Sequence, residues 1–157
     1  MLLIHGGGGG GWEWAIWRRV LEAHGWTVHA PELQPAAGGL AATGLADYLA
    51  QLQALPGPWE AVAGASLGGR LALELAAHVA VPRLLLINPL LQAAPDPGRP
   101  AVIAWADLPQ RASTRRALPD ADPGALAWAH ARWRDESGRT IDEAGTWPIP
   151  TLPASTR

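Results

Sequence analysis

The sequence predicts an α/β fold: a mostly parallel, open sheet of about four to five strands, with helices on both faces and an α-helical cap. Over residues 1–90, short apolar runs alternate with helical patterns, the order typical of parallel strands joined by right-handed crossovers. After a proline-rich connector at residues 95–100, helical patterns continue without strands between them. We therefore expect one domain over 1–157, with a core at 1–95, a cap insertion at 96–146, and the start of a further strand or a loose tail at 147–157.

Four strands are predicted from short apolar runs, because strands that are covered on both faces lose the alternation of polar and apolar residues. They lie at residues 2–4, 26–30, 59–63 and 84–88, and we expect the last to be buried. Glycines follow the first strand at Gly6 to Gly11, either as a flexible low-complexity loop or as a loop whose amides can approach a substrate oxygen closely.

Helices are predicted from apolar residues that recur every three or four positions. One helix is predicted directly after residue 66, where an apolar stripe is formed by Leu67, Leu71, Leu75 and Val79. We expect Arg70 and Glu74 to pair on the outer face of this helix. The other predicted helices cover residues 12–24 (ended by Gly25), 45–55 (buried through Leu45, Tyr48, Leu49 and Leu52), 101–118 and 123–136 (capped by Asp122).

Composition excludes several classes of function. A net charge of −2 gives no electrostatic reason to expect a nucleic-acid partner, and the absence of cysteine excludes disulfides and thiolate metal sites. No apolar run approaches the ~20 residues that span a bilayer, and the N-terminus has no signal-peptide pattern, so we expect a cytoplasmic protein with no membrane span. We interpret the nine tryptophans as packing residues of the core and cap.

The segment Gly64-Ala65-Ser66-Leu67-Gly68-Gly69 joins a predicted strand to a predicted helix. A Gly-x-Ser-x-Gly sequence in that context is the pattern of a nucleophile elbow, whose small neighbours keep strand and helix from colliding. Two alternatives stay open: a glycine-rich turn with an incidental serine, and a phosphate-binding loop at a helix N-terminus. No Gly-Lys-Ser/Thr follows the segment, and the chain contains no lysine, which disfavours the second.

These residues resemble the α/β-hydrolase family, in particular serine esterase- and lipase-like members with a helical cap. The similarity lies in the His5-Gly6-Gly7 segment, the stretch around Ser66, residues 84–89 and the run from Trp12 to residue 33. The resemblance implies hydrolysis of a carboxylic ester or related small acyl substrate by Ser66, with no cofactor and no metal. It implies an oxyanion hole formed by the backbone N–H of Leu67 and of Gly7 or Gly8, a substrate pocket beside Gly8 and Trp12, and a structural role for His5.

The chain departs from the family order, in which an acid and then a histidine follow the serine. Only His78 and His130 follow Ser66, and His78 lies about 18 Å along the predicted helix, too far to act as a base. Asp96 has no histidine to orient, and we interpret Asp135 and Glu136 as polar cap residues. We therefore expect a C-terminally shortened member that lacks the catalytic Asp and His, whether its end is native or frameshifted.

A second hypothesis is a non-catalytic hydrolase fold that binds a small ligand or a partner. The strand at residues 84–88 is predicted at the sheet edge, and an uncovered edge invites pairing with another chain. This hypothesis predicts self-association through that edge.

Overall fold

The computed structural model describes residues 1–105 and 111–156, and of residues 111–113 it describes the backbone alone. Two short 3₁₀ turns lie at Gly11–Trp14 and Leu40–Ala42. The strands and helices follow in the order β1 (Leu2–Ile4), α1 (Ala15–Ala23), α2 (Leu45–Gln53), β2 (Val62–Ala65), α3 (Leu67–His78), β3 (Leu84–Ile87), β4 (Val102–Ile103), α4 (Arg111–Ala117), α5 (Pro123–His130), β5 (Glu136–Ser137) and α6 (Gly138–Thr146).

The central sheet is parallel and has the order β1-β2-β3, with Leu3 opposite Ala63 and Gly64 opposite Leu86. The strand predicted at residues 26–30 is present as a single bridge between His29 and Leu2 on the other side of β1. Pro31 follows, and it has no N–H with which to extend the ladder. β2 begins at Val62, later than predicted, because β1 begins opposite it at Leu2.

Helices cover both faces of this sheet, as predicted. On one face, Leu2, Ile4 and Val62 join a core that includes the buried sides of α2 and α3. On the other face, Leu3 and Ala63 pack with Trp14 and Val28, and Leu21 of α1 packs against them. This alternation follows from the strand geometry, since successive side chains point to opposite faces.

The long helix α3 is buried on all sides over Leu67–Ala76, and this overturns one prediction. Arg70 and Glu74 do form an ion pair, but they are 0% and 6% exposed instead of lying on an outer face. Arg70 also donates to the carbonyl oxygens of Trp147 and Pro148, at 3.2 and 2.8 Å. The chain after α6 therefore covers the side of α3 that the helical pattern alone assigns to solvent.

The strand β3 lies at the edge of the sheet, as predicted, but it is not buried, which corrects a second prediction. Leu85 and Leu86 are 40% and 37% exposed. Leu86 pairs with Gly64 and Leu85 with Ala63, so the two leucines lie on opposite faces of the sheet. Both faces of this edge are therefore apolar and open.

The second half of the chain differs most from the prediction. Residues 102–103 form β4, which pairs antiparallel with β5, in place of the start of a helix; residues 106–110 of that predicted helix lie outside the described residues. The helix predicted over 123–136 ends at His130, because Arg134 and Glu136 bond instead to the glycine loop. Helix α6 was not predicted; Ser137 caps it by accepting from Thr140 N–H. Among the helices that the structure describes, none is long and apolar enough to cross a membrane.

Candidate active site

Ser66 lies in the tight turn between β2 and α3. Its backbone has a positive φ of 52°, a conformation rarely adopted by residues other than glycine, and its side chain is exposed. The turn is held from both sides: Ser66 N–H donates to Ile87 O at 2.9 Å, and Ser66 O accepts from Arg70 N–H and Leu90 N–H. A strained serine that is fixed by its backbone and open at its hydroxyl is suited to nucleophilic attack.

The small residues around Ser66 are required by close backbone contacts. A Cβ on Gly64 would overlap the carbonyl oxygen of Gly68, and a Cβ on Gly68 would overlap the carbonyl oxygens of Ile4 and His5. The first helical turn of α3 therefore packs directly on the end of β1. This contact brings the glycine loop that follows β1 next to Ser66.

The glycine loop at Gly6 to Gly11 is held by carboxylates from three different parts of the chain. Gly6 N–H donates to Glu13 at 3.1 Å, Gly8 N–H to Glu136 at 2.9 Å, and Gly11 N–H to Glu32 at 2.7 Å. Hydrogen bonds to charged acceptors are stronger than those between neutral groups. The loop is therefore anchored at several points along its length, in contrast to the flexible low-complexity alternative.

Two backbone N–H groups beside Ser66 remain available. Within the described parts of the chain, neither the Gly7 N–H nor the Leu67 N–H has a hydrogen-bond acceptor. Gly8 differs, because its N–H is taken by Glu136 and it does not line the cavity at Ser66. The geometry thus separates Gly7 from Gly8, which the sequence could not do.

Ser66 opens onto a cavity of about 660 Å³. Gly6, Gly7 and Ala65 lie beside it, the side of α5 closes it, and its walls are mostly apolar. Five of the nine tryptophans line it: Trp12, Trp14, Trp17, Trp128 and Trp133. The predicted pocket residue Trp12 is thus on the cavity wall. The cavity size and lining are typical of sites for small molecules.

The tryptophans connect the glycine loop to α5 and the residues after it. Trp12 meets Trp128 and Trp133 edge to face, with ring centroids 5.3 Å apart in both pairs. Trp14 and Trp17 meet at 5.9 Å and 87°. The buried indole nitrogens of Trp12 and Trp14 have no partner among the described residues. These rings are therefore cavity walls, in addition to the packing role that the sequence predicts.

Glu13 is the titratable side chain that shares this cavity with Ser66. Its Oε2 atom and the Ser66 Cβ lie 3.7 and 3.6 Å from the same point, the place where Gly6 would carry a Cβ. Burial raises the pKa of Glu13, while hydrogen bonds from the Gly6 and Gly10 backbone oppose that shift. Sequence reasoning missed Glu13 because nothing in its neighbourhood along the chain marks it as buried.

Trp105, Arg134 and Glu136 also contact the glycine loop. The Trp105 ring packs on Gly7 and Gly8, where any Cβ at Gly8 would overlap it. Arg134 donates its backbone N–H to Gly8 O at 2.7 Å and its Nε–H to Gly9 O at 2.8 Å.

Glu136, predicted as a polar cap residue, is instead 3% exposed. It accepts from Tyr48 O–H at 2.9 Å, and burial together with this carboxylate raises the pKa of Tyr48.

His5 has a structural place in the loop. Its Nδ1 bonds to Gly6 O at 2.8 Å and its Nε2 accepts from Leu33 N–H at 3.2 Å, which together assign the neutral form with the proton on Nδ1. Burial lowers the pKa of His5. Both ring nitrogens are therefore occupied by the backbone.

The histidines and the acid that the sequence singles out after Ser66 have positions or partners elsewhere. His78 is exposed at the end of α3, and His130 bonds to Thr114 at 3.3 Å. Asp96 accepts from Gly98 N–H in an exposed turn. In the described part of the chain, no side chain hydrogen-bonds to Ser66 Oγ, and no three metal-binding side chains cluster together.

Comparison with known proteins agrees with this fold. The chain is similar to the solved structures of a methylesterase from Arabidopsis (15% identity, TM-score 0.68) and a pyrethroid hydrolase from Sphingobium faniae (23% identity, TM-score 0.69). Each match covers 98% of this chain and 72% of the other. A thioesterase domain from the curacin biosynthetic pathway matches at 21% identity and a TM-score of 0.63, over 94% of this chain and 66% of that one. At these identities the likeness concerns the fold.

A search of curated protein sequences found no match. The profile of the alpha/beta hydrolase family, however, matches residues 1–156, which is nearly the whole sequence. That match includes the turn at Ser66, the glycine loop and the segments that pack on it. The chain therefore belongs to the alpha/beta hydrolase family.

Proposed function

We propose that the protein is a serine hydrolase that acts on a carboxylic ester or a related small acyl substrate, with Ser66 as the nucleophile. The observation that carries the proposal is the position of an exposed, strained Ser66 beside two unpaired N–H groups and a mostly apolar cavity. Membership of the alpha/beta hydrolase family supports it. The proteins of similar fold include a methylesterase, a pyrethroid hydrolase and a thioesterase domain, and these names also point to hydrolysis.

In this reaction Ser66 Oγ attacks the acyl carbon and the carbonyl oxygen becomes an oxyanion. The N–H groups of Gly7 and Leu67 would donate to that oxyanion, which is the largest electrostatic contribution in this class of reaction. The alcohol leaves with the serine proton, and water then releases the acid from the acyl-enzyme. Gly7 is preferred to Gly8 as the second donor, because Gly8 N–H already donates to Glu136.

The rate is expected to be modest. No histidine side chain among the described residues bonds to Ser66 Oγ, so attack proceeds without the base that usually takes its proton. Serine hydrolases that lose a triad member retain roughly 10³–10⁴-fold acceleration over water from the oxyanion hole and binding. We therefore expect slow but measurable turnover by the chain as it stands.

Hydrolysis of p-nitrophenyl acetate tests this directly. The wild-type chain should release p-nitrophenol faster than a Ser66→Ala variant, and Ser155→Ala, which removes an exposed serine hydroxyl in the segment after α6, serves as the control. Equal rates for wild type and Ser66→Ala would contradict the role of Ser66.

A second candidate function is binding of a partner through the open edge of the sheet. The observation that favours it is the exposure of Leu85 and Leu86 on opposite faces of β3. An edge strand presents unpaired backbone groups to a second strand, and here apolar side chains flank them. Self-association through β3 is the simplest form of this function.

A further inference from the structure

The cavity at Ser66 combines aromatic walls with a single carboxylate. Five indole rings line it, and Glu13 is its one titratable side chain among the described residues. The rings of Trp12 and Trp14 lie nearly perpendicular to their ring neighbours, so π-faces meet the cavity from more than one direction. Trp17 and Trp128 are 45% and 42% exposed and lie at its mouth. This is the composition of a site that recognises a positively charged group.

Glu13 has no ion-pair partner within the described chain, although its carboxylate accepts hydrogen bonds from the backbone of Gly6 and Gly10. An ionised carboxylate in an apolar cavity is costly unless a cation or several hydrogen bonds compensate for it. The two loop hydrogen bonds compensate in part, and a ligand cation placed between Glu13 and the indoles would add to them. One face of the Trp128 ring is already covered by the Arg132 guanidinium, 4.2 Å from its centroid, so the ligand cation would meet the other indole faces.

From these contacts we propose that the substrate is an ester with a cationic nitrogen, of the quaternary ammonium or alkylammonium class, bound by the tryptophan walls and Glu13. The inference rests on the proposed function, because it assigns the ester carbonyl to Ser66. Glu13 and Ser66 are close enough to contact one small ester, because Glu13 Oε2 and the Ser66 Cβ both lie within 4 Å of the position of a Cβ on Gly6. A carbonyl on Ser66 and a cation a few bonds away thus fit one cavity of about 660 Å³.

The alternative is a plain apolar pocket that accepts any bulky acyl or alcohol group. A cation site and an apolar pocket are expected to prefer different members of a matched pair of ligands in which only the charge changes. Benzoylcholine and 3,3-dimethylbutyl benzoate have the same shape, with a quaternary nitrogen in one and a carbon in the other. An apolar pocket favours the neutral ester, which loses less hydration on binding, whereas a cation site favours benzoylcholine.

The experiment is calorimetric titration of the full chain carrying Ser66→Ala, so that binding is measured without turnover. We expect benzoylcholine to bind about tenfold more tightly than the neutral ester, and addition of Glu13→Gln to remove most of this preference. Glu22→Gln makes the same charge change on the exposed face of α1 and should leave the preference intact. Should Glu13→Gln not fold, Trp128→Leu at the cavity mouth is expected to reduce the preference several-fold.

Equal affinity for the two esters, or tighter binding of the neutral one, would overturn the cation assignment, as would failure of both to bind. The nucleophile is judged separately by labelling of Ser66 in the wild-type chain. A protein that prefers benzoylcholine but is not labelled would retain the cation site and lose the proposed function, and the reverse result would retain the hydrolase and lose the cation site.

Discussion

Gly68 shows how a single residue without a side chain sets the geometry of the whole site. Its Cα faces the carbonyl oxygens of Ile4 and His5, so a methyl group there would push α3 away from the end of β1. The same contact keeps Ser66 beside the glycine loop. The sequence predicted this requirement from the Gly-x-Ser-x-Gly spacing, because the spacing itself encodes the close approach of strand and helix.

Gly68→Ala is therefore expected to destabilise the protein by about 1–3 kcal/mol, the usual cost of forcing an extra group into a packed site. The free energy of unfolding in urea measures this. Gly124→Ala is the matched control, because Gly124 is also the second residue of a helix and its added methyl would meet the Asp122 side chain instead of backbone. The variant at Gly124 should be neutral or slightly stabilising, since alanine favours helix. Equal destabilisation by both substitutions would contradict the packing argument.

His5 gives a prediction about pH. Burial lowers its pKa below the ordinary value of 6.5, so the unfolded chain takes up a proton first as the pH falls. Stability from His5 is fully present above pH 6.5 and declines as the pH drops below that value towards the folded-state pKa. The loss should reach up to about 1 kcal/mol within one pH unit.

The measurement compares wild type with His5→Asn, which cannot titrate in this range, at about pH 7.5 and about pH 5.5. The advantage of wild type in the free energy of unfolding should shrink at the lower pH. An advantage that is the same at both values would show that His5 is not buried in its neutral form.

At the scale of elements, the glycine loop is fixed by groups that come from far along the chain. Glu136 in β5 bonds to Gly8 N–H and to the hydroxyl of Tyr48 in α2, although 88 residues separate Tyr48 from Glu136. No local pattern reveals such a contact. This is why the sequence predicted α2 and α3 well from their apolar stripes, yet identified Glu136 only as a polar cap residue and missed β4, β5 and α6.

Tyr48→Phe should cost about 1.5–3 kcal/mol, because it removes one hydrogen bond to a buried carboxylate. Combined with Glu136→Gln, the two substitutions should cost clearly less than the sum of their separate effects, since they remove the same interaction. Urea unfolding of the four proteins of this cycle provides the measurement. Strict additivity would mean that the hydroxyl and the carboxylate do not interact.

At the scale of the whole molecule, the sheet ends at β3 with leucines exposed on both faces. If self-association occurs through this edge, sedimentation velocity should show larger species as the concentration rises. Leu86→Lys should suppress them, because charges on an edge strand oppose pairing. Lysine in place of Ile149, which is also exposed but lies outside the sheet, is the control. A clean monomer at high concentration would exclude the edge as a self-association surface.

The whole molecule also shows where prediction from sequence stops. The parallel order of the strands and the helices on both faces follow from local periodicity, and the turn at Ser66 follows from the Gly-x-Ser-x-Gly spacing. The structure and the family match confirm the α/β-hydrolase fold. Burial of Arg70 and exposure of Leu86 depend on which segments cover α3 and β3, and that is a property of the tertiary arrangement. The proximity of Glu13 to Ser66 depends in the same way on the cavity that both residues line, and no sequence pattern reveals it.

Labelling with a fluorophosphonate tests whether Ser66 is a nucleophile with two N–H donors beside it. The reagent phosphonylates the hydroxyl of a nucleophilic serine, slowly where no base takes its proton, and peptide mass spectrometry locates the adduct. We expect modification of Ser66 in the folded chain, none in Ser66→Ala, and none at the buried Ser137. A folded chain that carries no adduct on Ser66 after prolonged exposure to excess reagent would contradict it.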